Sequence, residues 1–216
     1  MITSIHNEKL KTIRRLQRKR DTRFVAEGED LLEAADAAGW PALERLVAGE
    51  DVDAEVLAKV STLGSGTRAI GVYEERWAPK AESLCVALWG VRDPGNVGTV
   101  IRSALAFGAA SVGIGPDCAD PFGTRAVRAS MGAVFAVPLV RIGSVDELPA
   151  DRVALVAHAG EPLRGPAGAL VVGAERAGLP ADVVEGCDRV AHVPIASESL
   201  NAAMAATVAL YEVTRA

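Results

Sequence analysis

The chain has 216 residues, half of them hydrophobic and 24% charged, with a formal net charge of −5. That composition supports a sizeable core and excludes wholesale disorder, and no apolar run approaches the roughly 18 residues of a membrane span. Cys85, Cys118 and Cys187 lack any CxxC pairing and His6, His158 and His192 form no ligand spacing; reduced thiols and no metal site are expected.

The net charge hides an uneven distribution. Between His6 and Arg23 stand Lys9, Lys11, Arg14, Arg15, Arg18, Lys19, Arg20 and Arg23 against only Glu8 and Asp21. The spacing predicts a helix from about His6 to Arg20, with Leu10, Ile13 and Leu16 on one face and the cations around the rest. Such charges form either a phosphate-facing stripe or an ordinary solvated face. No apolar core follows the charges of this N-terminal stretch, so a secretory signal is not expected and the cytoplasm is the default compartment. A strand ending at Ala26 comes next, then a helix from Glu29 to a stop at Gly39. "LERLVAG" predicts a strand, "DAEVLAKVSTL" a helix capped by Asp53, and "TRAIGVYEE" another strand. These elements predict a small α/β domain over residues 1–76, and "RWAPKAES", broken by proline and mixed charge, predicts a linker over 77–83.

From residue 84 to 216 the texture changes. "LCVALWG" is a continuous apolar run of the kind buried on both faces of a parallel sheet. The strands "SVGIG", "VFAVPLV", "RVALVAH", "ALVVGAE" and "RVAHVPI" follow. Helical stretches between them predict a mostly parallel sheet covered on both faces, an α/β class.

In such sheets ligands sit outside the carboxyl ends of the strands, and three turns there are unusually polar. In the first, Val91 to Ala109, Pro94 and Gly95 predict a tight turn, Asn96 a helix cap and Gly98 a close backbone approach. Val97, Val100, Ile101, Ala104 and Leu105 form the predicted buried stripe, with Arg102 presented at its edge. In the second, Val171 to Pro180, Gly173 follows a buried strand and Glu175 and Arg176 occupy the turn. The third, Pro194 to Glu212, offers Ser197 or Ser199 as the helix cap, leaving the Asn201 amide free for a ligand. The helix behind it is rich in alanine on every face. High propensity explains this on the exposed side only; on the buried side it predicts close packing against the sheet or a second subunit.

In this order the three turns resemble the three motifs of the SpoU branch of the SPOUT RNA methyltransferases: "NVGTVIRSALAFGA", "VVGAERAGLP" and "VPIASESLNAAMAATVALYE". The middle segment "RAVRASMGAVFAVPLV" also looks like the family's, and residues 1–76 are similar to the RNA substrate-binding domain that precedes many members. The resemblance implies a sheet ending in a deep trefoil knot, a homodimer, and S-adenosylmethionine-dependent methylation of a ribose 2′-hydroxyl. The RNA it implies is ribosomal first and transfer RNA second, with no membrane and no metal involved. Carried over, Asn96, Arg102, Glu175, Ser199 and Asn201 are the catalytic candidates. Gly173, Ala174, Ile195 and Leu200 are those for the cofactor, and Lys11, Arg14, Arg15 and Arg18 those for RNA. The chain departs from the family in having only Ile195 to Glu198 between Pro194 and Ser199, where members commonly carry a longer glycine-containing loop.

Overall fold

A computed structural model of the chain describes residues 1–63 and 66–215. The first unit runs α1 (Glu8–Arg18), β1 (Arg23–Glu27), α2 (Glu29–Ala37), β2 (Glu44–Val47), α3 (Ala54–Val60) and β3 (Ala69–Glu74). Its sheet is antiparallel, in the order β1-β3-β2. Asn7 starts α1 by accepting from Lys9 N, and Asp53 caps α3 by accepting from Glu55 N and Val56 N, each satisfying donors that a helix start leaves unpaired. Leu10, Ile13 and Leu16 pack with Val25, Leu46, Leu57 and Ile70 beneath α1, so the basic residues take the outer side.

The second unit runs β4 (Cys85–Trp89), α4 (Pro94–Ala106), β5 (Ser111–Ile114), α5 (Thr124–Ser130), α6 (Ala133–Ala136) and β6 (Leu139–Arg141). After a single 3-10 turn at Val145–Glu147 come β7 (Arg152–Leu155), β8 (Glu161–Pro162), β9 (Ala169–Gly173), α7 (Ala181–Glu185), β10 (Arg189–His192) and α8 (Ala202–Thr214). All seven strands are parallel, in the order β6-β5-β4-β9-β7-β10-β8. Alternate residues of β4 and β9 serve opposite layers. Val86, Leu88, Leu170 and Val172 meet α4, α5, α6 and α8, while Cys85, Ala87, Ala169 and Val171 meet Val145, Leu148 and Val183. Burial on both faces explains why these strands read as unbroken apolar runs.

Two expectations are corrected. The run "VFAVPLV" is not one strand, because Ala133–Ala136 is helical and β6 begins only at Leu139. Gly132, at φ 89°, turns the chain left-handed there, and Ser130 Oγ accepts from Val134 N to start the new turn. Leu105 belongs to no buried stripe; it is 47% exposed. Besides the core beneath α1, the first unit contributes to a second cluster that it shares with the other unit. Phe24, Trp40 and Tyr73 share one cluster with Phe122 and Phe135, with Phe24 and Phe122 ring centres 5.0 Å apart and Trp40 Nε1 donating to the Phe135 carbonyl at 2.9 Å. At the edge of this seam Arg20 donates to Glu75 at 2.6 Å and pairs with Asp120. Burial alone lowers the Arg20 pKa, but the bonds to Asp120 and Glu75 outweigh that and hold it above its ordinary value.

Candidate active site

Each of the three polar turns delivers one side chain to a common point. Helix α4 is capped by Asp93, whose Oδ1 accepts from Asn96 N at 3.0 Å. Asn96 is therefore not the cap. Pro94, with its preset φ and no N–H to satisfy, occupies the first helical position, which moves the cap upstream and frees the Asn96 amide to point outward. Gly98, two residues on, permits a very close helix crossing: a Cβ there lies 2.3 Å from the Ala126 carbonyl oxygen of α5.

Strand β9 ends in a turn that folds onto itself, with Gly178 N donating to Ala174 O at 2.8 Å. A Cβ on Gly173 would sit 2.4 Å from the Gly178 carbonyl carbon, so only glycine admits this fold-back. Glu175 stands at its exposed tip. Helix α8 is capped by Asn201, whose Oδ1 accepts from Ala203 N at 3.0 Å and Met204 N at 3.3 Å. This overturns two expectations: neither Ser197 nor Ser199 is the cap, and the Asn201 amide is engaged. Its Nδ2 donates to Asn96 Oδ1 at 3.0 Å and also to Glu175 Oε1. Asn96 Nδ2 closes the ring on the same carboxylate oxygen at 2.7 Å.

Two concavities flank the ring. The smaller, about 130 Å³, is lined by Gly173, Ala174, Ile195 and Leu200, with Glu175 and Ser199 at its edge. All four residues expected to hold a cofactor thus face one cavity. The larger, about 500 Å³, lies on the other side of Glu175, between Trp89, Asp93, Asn96 and Arg176. Sequence reasoning missed Val156, Ala157 and His192, which also line the smaller cavity. They follow β7 and end β10, and the rule that ligands gather at strand carboxyl ends points to them too. His158 Nε2 is hydrogen-bonded at 3.0 Å with the Glu198 carbonyl, tying this rim to the short loop before Ser199.

Arg102 stands apart. It is exposed on α4, lines neither cavity, and has no hydrogen bond or ion pair among the described residues. Six residues beyond Asn96, it lies about 9 Å further along the helix axis at ~1.5 Å per residue. Lys11, Arg14, Arg15 and Arg18 gather on the outer side of α1 together with Lys19. Lys11 is paired with Glu8 at 2.7 Å and Arg15 with Asp21 at 3.5 Å.

Residues 83–211 match the SpoU rRNA Methylase family. The chain belongs to that family. As a SpoU member it is similar, at 32% identity over 97% of each chain, to the 23S rRNA (guanosine(2553)-2′-O)-methyltransferase RlmP of Bacillus subtilis. Among solved structures it resembles the AdoMet-bound rRNA methyltransferase of Sinorhizobium meliloti, with a TM-score of 0.86 and 30% identity over 98% of this chain and 95% of that one. It also resembles the SpoU methyltransferase AviRb of Streptomyces viridochromogenes in complex with AdoMet, with a TM-score of 0.82 and 25% identity over 97% of this chain and 98% of that one.

Proposed function

We propose that this SpoU-family protein transfers a methyl group from S-adenosylmethionine to a ribose 2′-hydroxyl of RNA, and that the RNA is ribosomal. The observation that carries the reading is the ring of Asn96, Glu175 and Asn201: three turns distant in sequence meet in one hydrogen-bonded group between two cavities. Relatives named as 23S rRNA 2′-O-methyltransferases support it, as does a similar structure holding AdoMet.

The smaller cavity suits the cofactor's adenosine part, since Gly173 and Ala174 leave room for a flat ring and Ile195 and Leu200 offer it apolar faces. When bound, the cofactor supplies a methyl group on sulfonium and departs as a neutral thioether, so no acid is needed on that side. The protein's task is alignment and help for charge developing on the sugar oxygen. Glu175 Oε1 is taken up by the two amides, which fixes the carboxylate and leaves Oε2 to orient the ribose hydroxyl in the larger cavity. Asn96 borders the sugar there, and Ser199 faces it from the edge of the smaller cavity. Arg102 remains a cation, since a guanidinium stays protonated in proteins, and its planar fork grips the target phosphate and steadies the alkoxide.

Arg102 serves this role in a homodimer, where it enters the partner's site. Leu105, Met204, Val208 and Tyr211 support that assembly: all four are between 41% and 59% exposed, and the last three recur at helical spacing along α8. A trefoil knot is supported by β9 lying between β4 and β7 while the chain returns through β10 to pack α8 on α4 and β9. Residues 1–76 act as the RNA-docking domain through Lys11, Arg14, Arg15 and Arg18, and the protein works in the cytoplasm. Turnover of Arg102→Lys tests the assignment. A loss of about 10- to 100-fold with unchanged cofactor affinity is expected; wild-type turnover refutes the need for the planar fork.

A further inference from the structure

Helix α5 carries two cations with no assigned task. Arg125 and Arg128 are exposed, three residues apart on one face, and neither has a hydrogen bond or ion pair among the described residues. The opposite face is buried through Ala126, Val127 and Ser130. Between Pro94 and Val145 the sequence holds only Asp117 and Asp120 as acids, and both are engaged, with Arg92 and Arg20 respectively. No acid between Pro94 and Val145 is therefore left to pair with α5.

The position of the helix is as telling as its charge. Its start adjoins the end of the basic helix: Arg18 of α1 and Gly123 and Thr124 at the head of α5 border one concavity. Its middle touches the helix of the site, where Gly98 of α4 meets Ala126 and Ala129. Gly98 lies two residues from Asn96 and four from Arg102, so Arg102 emerges one turn beyond the crossing on the same side of α4. From α1 to Arg102 on α4, and so to the partner's site that Arg102 is proposed to enter, α5 is the element in between.

Given an RNA substrate, as proposed above, we infer that Arg125 and Arg128 hold the phosphates of the RNA strand between its docking site on α1 and the target nucleotide. The contact is to backbone phosphate and is independent of sequence, which makes α5 a bridge joining the docking stripe and Arg102 into one track.

Binding of a uridine oligomer of about 30 nucleotides, measured over a range of salt concentrations, tests this. For the full-length Arg125→Ala/Arg128→Ala variant the slope of log affinity against log salt is expected to fall by about 1.4, two phosphates at ~0.7 each. Arg125→Lys/Arg128→Lys is expected to keep the wild-type slope, and S-adenosylmethionine affinity by calorimetry to stay unchanged in both. An unchanged slope in the alanine pair overturns the bridge; if Arg14→Ala/Arg15→Ala/Arg18→Ala lowers the slope in the same assay, docking on α1 stands without it. A slope unmoved in both alanine variants removes the RNA reading and the bridge together.

Discussion

Two carboxylates organise this molecule, and they do so in opposite ways. Glu27, at the end of β1, is 7% exposed and accepts from Gln17 Nε2, Ser61 Oγ, Thr62 N and Thr62 Oγ1 at 2.7–2.9 Å. It ties α1 and the end of α3 to the small sheet, and every contact is with the protein itself. Glu175 also draws donors from distant segments, but it does so in the open, between two cavities, with one oxygen unclaimed among the described residues. A buried charge has to be saturated to be tolerated at all. An exposed one gains nothing comparable from being held still, so a fixed carboxylate at the surface points to use.

Replacing each residue separates the two roles. The largest effect is expected from Glu175→Ala, which releases both amides: methyl transfer to ribosomal RNA falls by at least about 100-fold, while the thermal midpoint moves by less than about 3 °C. A drop in midpoint matching that of the buried site would erase the distinction. Glu27→Ala reverses the pattern. Four donors lose their acceptor, and stability measured by urea unfolding falls by about 3 kcal/mol, with activity per folded molecule kept.

The smallest effect comes from Tyr73, a buried polar group with no one to bond. Its hydroxyl is enclosed without a partner among the described residues, in space available only because position 71 is glycine. Burial, with a further push from Asp36, raises the Tyr73 pKa from 10.0 to about 12. The folded state thus keeps this proton longer than the unfolded chain does. The resulting stability is full below pH 10 and is lost as pH rises from 10 towards 12. Tyr73→Phe is expected to unfold within about 1 kcal/mol of wild type at neutral pH, or later, and to lose that part of the alkaline decline. An alkaline decline as steep in the phenylalanine variant as in wild type would show that the Tyr73 hydroxyl does not cause it.

Much of this was legible in the residues. The spacing of Leu10, Ile13 and Leu16 predicts α1, Asp53 marks the start of α3, and Gly98 announces a tight approach; all three are found so. The three turns named Asn96, Glu175 and Asn201 before any of them had a neighbour. Caps were harder. Asp93 and Asn96 both suit a helix start, as do Ser197, Ser199 and Asn201, and the choice depends on where the first turn closes: Pro94 settles it for α4, and Asn201's own ring of bonds for α8. "VFAVPLV" misleads because an apolar run without period suits a buried strand and a buried helical turn alike. The aromatic seam between the units was out of reach altogether, since nothing local to Phe24 refers to a partner 98 positions away.

That seam limits how the chain can be rearranged. Phe122 and Phe135 present their rings to Phe24, Trp40 and Tyr73, and Trp77 packs edge-on against Phe122, so a protein cut near residue 77 would expose a greasy, sticky face instead of a finished catalytic half. First units exchanged between relatives have to bring matching rings with them, and an insertion that tilts the small sheet is resisted here. Under the proposed reading, in which the first unit holds the RNA, the measuring distance from there to the modified nucleotide is set by the interlocking of six side chains.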